Sequence, residues 1–173
     1  MTDLYVTQDN YDDLVERLIL AVDADGYHFD SLLCLARGGM RVGDIFSRVH
    51  NIPLAILATS SYREEAGKQQ GELDIAAFIT KTGGEIKGRL LLVDDMVDSG
   101  KTVKKVVEHL KKSYPAITEI RVAVLWWKSH SVLKPDYYVD FLDNNPWIHQ
   151  PFERYDDMGV KQLRAHRHGG YYG

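Results

Sequence analysis

The stretch LLLVDDMVDSGKTV, Leu90–Val103, decides how this chain is read. Four apolar residues run into Asp94 and Asp95, a third acid follows at Asp98, and small residues close the turn at Ser99, Gly100 and Thr102. A short apolar run bounded by turn residues reads as a buried strand. Val103, Val106, Val107 and Leu110 then recur at helical spacing, so a helix begins near Ser99–Thr102. Small residues at a helix start leave backbone amides open, which suits one phosphate. The paired carboxylates have a different task. Two such charges a few Å apart repel by about 1 kcal/mol in water and about 4 kcal/mol at an effective dielectric of 20. They favour hydroxyl donors, a divalent metal or a developing cation. A lone aspartate here would only cap a turn; the whole run describes a site for ribose 5-phosphate.

The Gly-Lys-Thr ending invites a P-loop reading, G-x-x-x-x-G-K-[ST]. Counting back from Gly100, the first glycine of that pattern should be residue 95, which is Asp95. A carboxylate there repels the phosphates the loop must hold, so the triphosphatase reading fails. The side chain of Lys101 is expected to point to solvent.

Outward from this stretch, strands and helices alternate. Tyr11, Leu14, Val15, Leu18, Ile19 and Val22 form the apolar face of an opening helix, capped by Thr7 or Asp9 and stopped at Gly26. SLLCLA (Ser31–Ala36) is a strand ending at Arg37-Gly38-Gly39, followed by a helix through Ile45, Phe46 and Val49 and a strand IPLAILATS. Residues 63–84 read as a mobile excursion or hairpin, with weak alternation over Leu73–Ile79. EIRVAVLWW and DYYVDFL supply two more strands, and RAHRHGGYYG (164–173) reads as a frayed, disordered tail. Continuous apolar strands alternating with helices imply an α/β fold, a mainly parallel twisted sheet covered on both faces. Ligands of such sheets bind beyond the strands' carboxyl ends. That rule points to Arg37-Gly38-Gly39, to Asp94-Asp95, to Lys128 and to the region after Leu142.

The chain has 173 residues, enough for one domain spanning 1–173. A formal charge of −4 argues against a nucleic-acid partner. The single cysteine, Cys34, excludes an intrachain disulfide and suits the cytoplasm. No apolar run approaches the roughly 20 residues that span a membrane, and no secretory signal is visible.

LLLVDDMVDSGKTV resembles the phosphoribosyl-pyrophosphate motif of the type I phosphoribosyltransferases, and LARGGM resembles their pyrophosphate loop. The resemblance implies that Asp94 and Asp95 hold the ribose hydroxyls and that Asp98, Ser99, Gly100, Lys101 and Thr102 hold the 5-phosphate. Arg37, Gly38 and Gly39 would meet pyrophosphate, and Asp98 would assist proton movement at the purine ring nitrogen. LWWKSHS and PWIHQPFE followed by DMGV resemble the bacterial xanthine-guanine branch, as do YVTQDNYDDL and TSSY, so the likeness spans residues 5 to about 160. From that branch, Lys128 would bond a purine 6-oxo group, while Trp147 with Ile148 would bind the base. Base–aromatic stacking is worth roughly 1–3 kcal/mol elsewhere. Asp95 and Glu153 would face Mg²⁺.

The implied fold carries a small hood region and a mobile loop, and the implied state is a homo-oligomer, dimer or tetramer. The implied reaction moves a phosphoribosyl group from phosphoribosyl pyrophosphate to a 6-oxopurine. The alternatives are a non-catalytic regulator of the same fold that binds phosphoribosyl pyrophosphate or a nucleotide, and a transferase for another nucleobase. No basic run or added domain supports the first, and Lys128 with Trp147 argues against the second. One departure stands out: where the mobile loop of that branch carries a basic residue, this chain has Gly71, leaving Arg63 or Lys68 to substitute. His166 and His168 are too isolated to form a metal site.

Overall fold

The computed structural model describes residues 3–60, 74–76 and 78–168. In chain order the elements are β1 (Asp3–Tyr5), α1 (Gln8–Ala24), β2 (Ser31–Ala36), α2 (Met40–His50), β3 (Leu54–Ser60) and β4 (Asp74–Ile75). They continue with β5 (Gly88–Val97), α3 (Lys101–Ser113), β6 (Ile117–Lys128), β7 (Tyr137–Leu142), β8 (Trp147–His149), a 3-10 turn (Glu153–Tyr155) and α4 (Val160–His168). The chain divides into two compact units, Leu14–Asn145 and a second made of the segments that precede and follow it.

In the Leu14–Asn145 unit, six strands form one sheet in the order β4-β3-β2-β5-β6-β7. All neighbours are parallel except β4, which runs antiparallel to β3. The middle stretches of the central parallel strands are apolar because both faces are covered. Leu33, Leu35, Leu90 and Leu92 join Val103, Val106 and Leu110 of α3 in one core. On the other face, a Cβ at Gly43 of α2 would meet the Cys34 side chain at 2.8 Å. The chain therefore leaves β2 for β3 on one side and β5 for β6 on the other, with the two connecting helices on opposite faces. The reversal of direction lies between β2 and β5, and there the carboxyl ends open a crevice.

Two strands run further than their sequence suggests. β5 continues past the acid pair, because Met96 and Val97 keep pairing with Trp126 and Trp127, and Val97 is buried. β6 likewise includes Lys128, opposite Leu142 of β7. At the amino edge, Arg121 of β6 binds Asp25 at 2.6 Å and Glu119 at 2.8 Å, and covers the Tyr27 ring. α1 begins with Thr7, whose Oγ1 accepts from the Asn10 amide at 3.2 Å, and its six expected apolar residues are all buried.

Of the excursion expected at 63–84, residues 63–73 and 77 lie outside the described residues, Arg63, Lys68 and Gly71 among them. The described remainder is hairpin-like: β4 pairs with β3, and Thr80 bridges Ile56. The expected frayed tail is corrected in part. Helix α4 continues to His168, and residues 169–173 lie outside the described residues.

In the other unit, β1 and β8 pair in parallel, with Leu4 opposite Ile148. The Tyr5 and His149 rings stack at 4.4 Å, and Tyr11 meets Phe152 edge-on at 5.6 Å. Among the described residues no helix is long and apolar enough to cross a membrane.

Candidate active site

Adjacent parallel strands bring the two sequence motifs together. The turn Arg37-Gly38-Gly39 leaves β2, and the acid pair stands near the end of β5. A Cβ on Gly38 would lie 2.6 Å from Oδ1 of Asp95, and one on Gly39 would lie 2.6 Å from the Val93 carbonyl oxygen. The glycines are required for room as much as for conformation: Gly39 has an ordinary φ of −74°. The Ala36–Arg37 peptide is cis, and Arg37 is exposed.

Asp94 keeps a partly exposed surface but stands in dense protein. Its carboxyl is held well above the ordinary carboxylate range, first by burial and then by the charge of Asp95, while the amides of Asp95 and Gly39 pull the other way. The Asp95 amide donates to Asp94 Oδ1 at 2.9 Å, and the Met96 amide donates to Asp95 Oδ1 at 2.7 Å. Asp95 is buried. Such a crowded pair favours hydroxyl donors or a cation.

The turn after β5 forms the second half. Gly100 has φ 76°, a left-handed conformation that favours glycine, and a Cβ there would strike Ser131 Oγ and the Leu133 amide. The Val132 amide donates to the Ser99 carbonyl at 3.0 Å, tying this turn to the chain after β6. Helix α3 has no acid in its first turn and Lys111 and Lys112 in its last, so its positive end is left for an anion. Thr102 is half-buried, and Lys101 is exposed as expected.

Lys128, at the end of β6, is buried, and its Nζ lies 3.2 Å from Oδ1 of Asp98. The sequence treats these residues separately; folding makes them an ion pair. His130 Nε2 lies 3.0 Å from the same oxygen. Sequence reasoning missed His130. Its only signal was the placement of an imidazole two residues beyond Lys128 at a strand exit.

Trp147, Ile148 and Glu153 belong to the other unit. Trp147 is 49% exposed. Ile148 is buried and pairs with Leu4 across β1 and β8. Glu153 is half-buried and opens the 3-10 turn.

Among the described residues no three His, Cys, Asp or Glu side chains gather as a closed metal site would need. Mg²⁺ often takes only one or two carboxylates and completes its shell from water and substrate phosphates. Asp94 and Asp95 fit that use: they are hard oxygen donors whose mutual repulsion a cation would relieve.

The family model described as "Phosphoribosyl transferase domain" matches residues 7–157. Among curated proteins, the xanthine-guanine phosphoribosyltransferase of Idiomarina loihiensis is 29% identical over 126 residues, 72% of this chain and 71% of that one. The hypoxanthine/guanine phosphoribosyltransferase of Aciduliprofundum boonei is 27% identical over 120 residues, 65% and 60% of the two chains. Among solved structures, a purine phosphoribosyltransferase from Pyrococcus horikoshii superposes with a TM-score of 0.73 at 29% identity, covering 92% of this chain and 97% of that one.

Proposed function

Because this chain belongs to the phosphoribosyltransferase family, we propose that it transfers a 5-phosphoribosyl group from phosphoribosyl pyrophosphate to a 6-oxopurine and releases pyrophosphate. The observation that carries this reading is the meeting of Gly38 with the Asp95 carboxylate at the β2–β5 crevice, beside the open end of α3. One loop there suits a leaving pyrophosphate, the acids suit ribose hydroxyls, and the helix end suits the 5-phosphate.

As the sugar–pyrophosphate bond breaks, charge builds on the departing oxygen and the sugar carbon becomes cation-like. Arg37 and the backbone of Gly38 and Gly39 would stabilise the leaving group, an electrostatic mode of catalysis. Asp94 and Asp95 would favour the positive carbon. Mg²⁺ bound at Asp95 would neutralise pyrophosphate charge. Asp98 would take the proton from the purine ring nitrogen, and Lys128 would donate to the 6-oxo group. Adenine presents an amino donor there and would meet a donor with a donor. We assign the exposed face of Trp147 to the base as a stacking surface.

The test is direct. Purified protein with Mg²⁺ and phosphoribosyl pyrophosphate is offered xanthine, guanine, hypoxanthine, adenine and uracil, and nucleotide formation is followed by chromatography. At least one 6-oxopurine will be converted and adenine will not; no turnover with any base would overturn the enzymatic reading. Lys128→Ala will raise the KM for the purine by about tenfold or more, the loss of one charged hydrogen bond. Affinity for phosphoribosyl pyrophosphate will change by only about twofold, within the usual effect of an untouched subsite. Equal losses for both substrates would point to folding instead.

A further inference from the structure

His130 stands at the β6 exit, and the reaction above leaves its imidazole unused. Its ring nitrogen Nε2 lies 3.0 Å from Oδ1 of Asp98, and the Lys128 ammonium lies 3.2 Å from that same oxygen. Its backbone is held in place: the His130 amide donates to Asn145 Oδ1 at 3.4 Å, Ser129 Oγ donates to the Asp143 carbonyl at 2.8 Å, and the Ser131 amide donates to the Lys128 carbonyl at 3.1 Å. Among the described residues the ring pairs with Asp98, at the exit of β5, and Asp98 in turn pairs with Lys128, at the end of β6.

The two nitrogens on that oxygen cannot do the same work. Both meet the one carboxylate oxygen of Asp98, the group that would collect the purine proton. Lys128 is buried and already carries its full complement of protons as an ammonium, so it cannot receive another. An imidazole whose proton is on Nδ1 has a lone pair on Nε2 and can receive it. The side chain of His130 is 45% exposed, so a proton it receives has water to leave to.

Resting on the transferase reading, we propose that His130 is a positioning residue that holds Asp98 and carries away the proton Asp98 collects. The steps balance. The purine ring nitrogen bonds to the sugar carbon, and pyrophosphate leaves with the electron pair of the broken C–O bond. The N–H proton passes to Asp98, then from Asp98 to Nε2 of His130; the imidazolium loses one proton to water, and proton exchange with water returns the ring to its Nδ1–H form. No electron changes hands beyond these pairs. Asp98 regains its charge for the next turnover without moving away from Lys128.

The experiment compares the unaltered protein with His130→Gln and His130→Ala, using whichever 6-oxopurine is turned over best. Glutamine can still hydrogen-bond Asp98 but cannot carry a proton. We expect kcat to fall about tenfold or more in both variants, the lower end of what proton transfer by a placed side chain supplies. The KM for phosphoribosyl pyrophosphate will stay within about twofold, as for an untouched subsite. The acidic limb of the kcat profile will shift, and added imidazole will restore part of the rate of His130→Ala. Turnover by His130→Gln at the unaltered rate, with the same pH profile, would overturn the proposal and leave the transferase reading intact. An unaltered protein that is inactive with every base would overturn both.

Discussion

Replacing both Asp94 and Asp95 by asparagine will lower turnover by about tenfold or more while the protein melts no lower than before, the loss being one of transition-state electrostatics. The two halves of this result come from one cause. The Asp94 carboxyl is held well above its ordinary value of 3.8 by burial and by Asp95. An acid with a raised value in the folded state binds its proton more tightly there than in the unfolded chain. Its contribution is therefore favourable at low pH and is lost as pH rises through the raised value. At neutral pH an ionised Asp94 opposes folding, and asparagine removes that charge.

We expect Asp94→Asn alone to raise the melting temperature at pH 7 in metal-free buffer, and the gain to vanish as the pH falls toward the ordinary carboxylate range. Each 1 kcal/mol of change corresponds to roughly 2–4 °C in a domain of this size. Calorimetry at two pH values with a parallel turnover assay makes the comparison. An unchanged rate in the double variant would remove these acids from the ribose site. A lower melting temperature for Asp94→Asn would show that the carboxylate is better compensated than its surroundings suggest.

The second large effect is steric. Gly39→Ala will destabilise the protein by about 3 kcal/mol, the upper part of the range for overpacking. The added methyl meets backbone on every side: the Val93 oxygen at 2.6 Å, the Asp94 Cα at 2.9 Å and the Leu35 oxygen at 3.0 Å. None of these can rotate away, so either α2 or β5 must shift. Gly38→Ala is a different experiment. The atoms nearest its methyl belong to the Asp95 carboxylate, at 2.6 to 2.9 Å, and a side chain can turn aside. That variant should lose about 1 kcal/mol of stability or less yet lose activity through the displaced acid. Thermal melts and turnover of the two proteins, side by side, will separate the roles of adjacent glycines. Equal stability for both would mean that the β2–β5 crevice is looser than these distances imply.

Much of this protein is written locally. The apolar runs, the helical spacing in α1 and α3, the small-residue turn at Ser99–Thr102 and the misplaced Asp95 that rules out a P-loop are all properties of neighbours in sequence. They are sufficient for an α/β fold with chemistry at the strand exits, because burial on both faces imposes a continuous apolar pattern on a parallel strand. Strand order is not local, since any arrangement of equally apolar strands would satisfy the same pattern. Only the fold puts β2 beside β5, and with it Gly38 against Asp95, 57 positions apart in the numbering. The lengths of β5 and β6 were also decided by pairing, which carried Val97 and Lys128 into the sheet despite the polar residues beside them. Asp98 and Lys128 were separate candidates, and His130 was unremarked, until two strand exits brought them to a single oxygen. A charge acts over a few Å of space, whatever the distance along the chain.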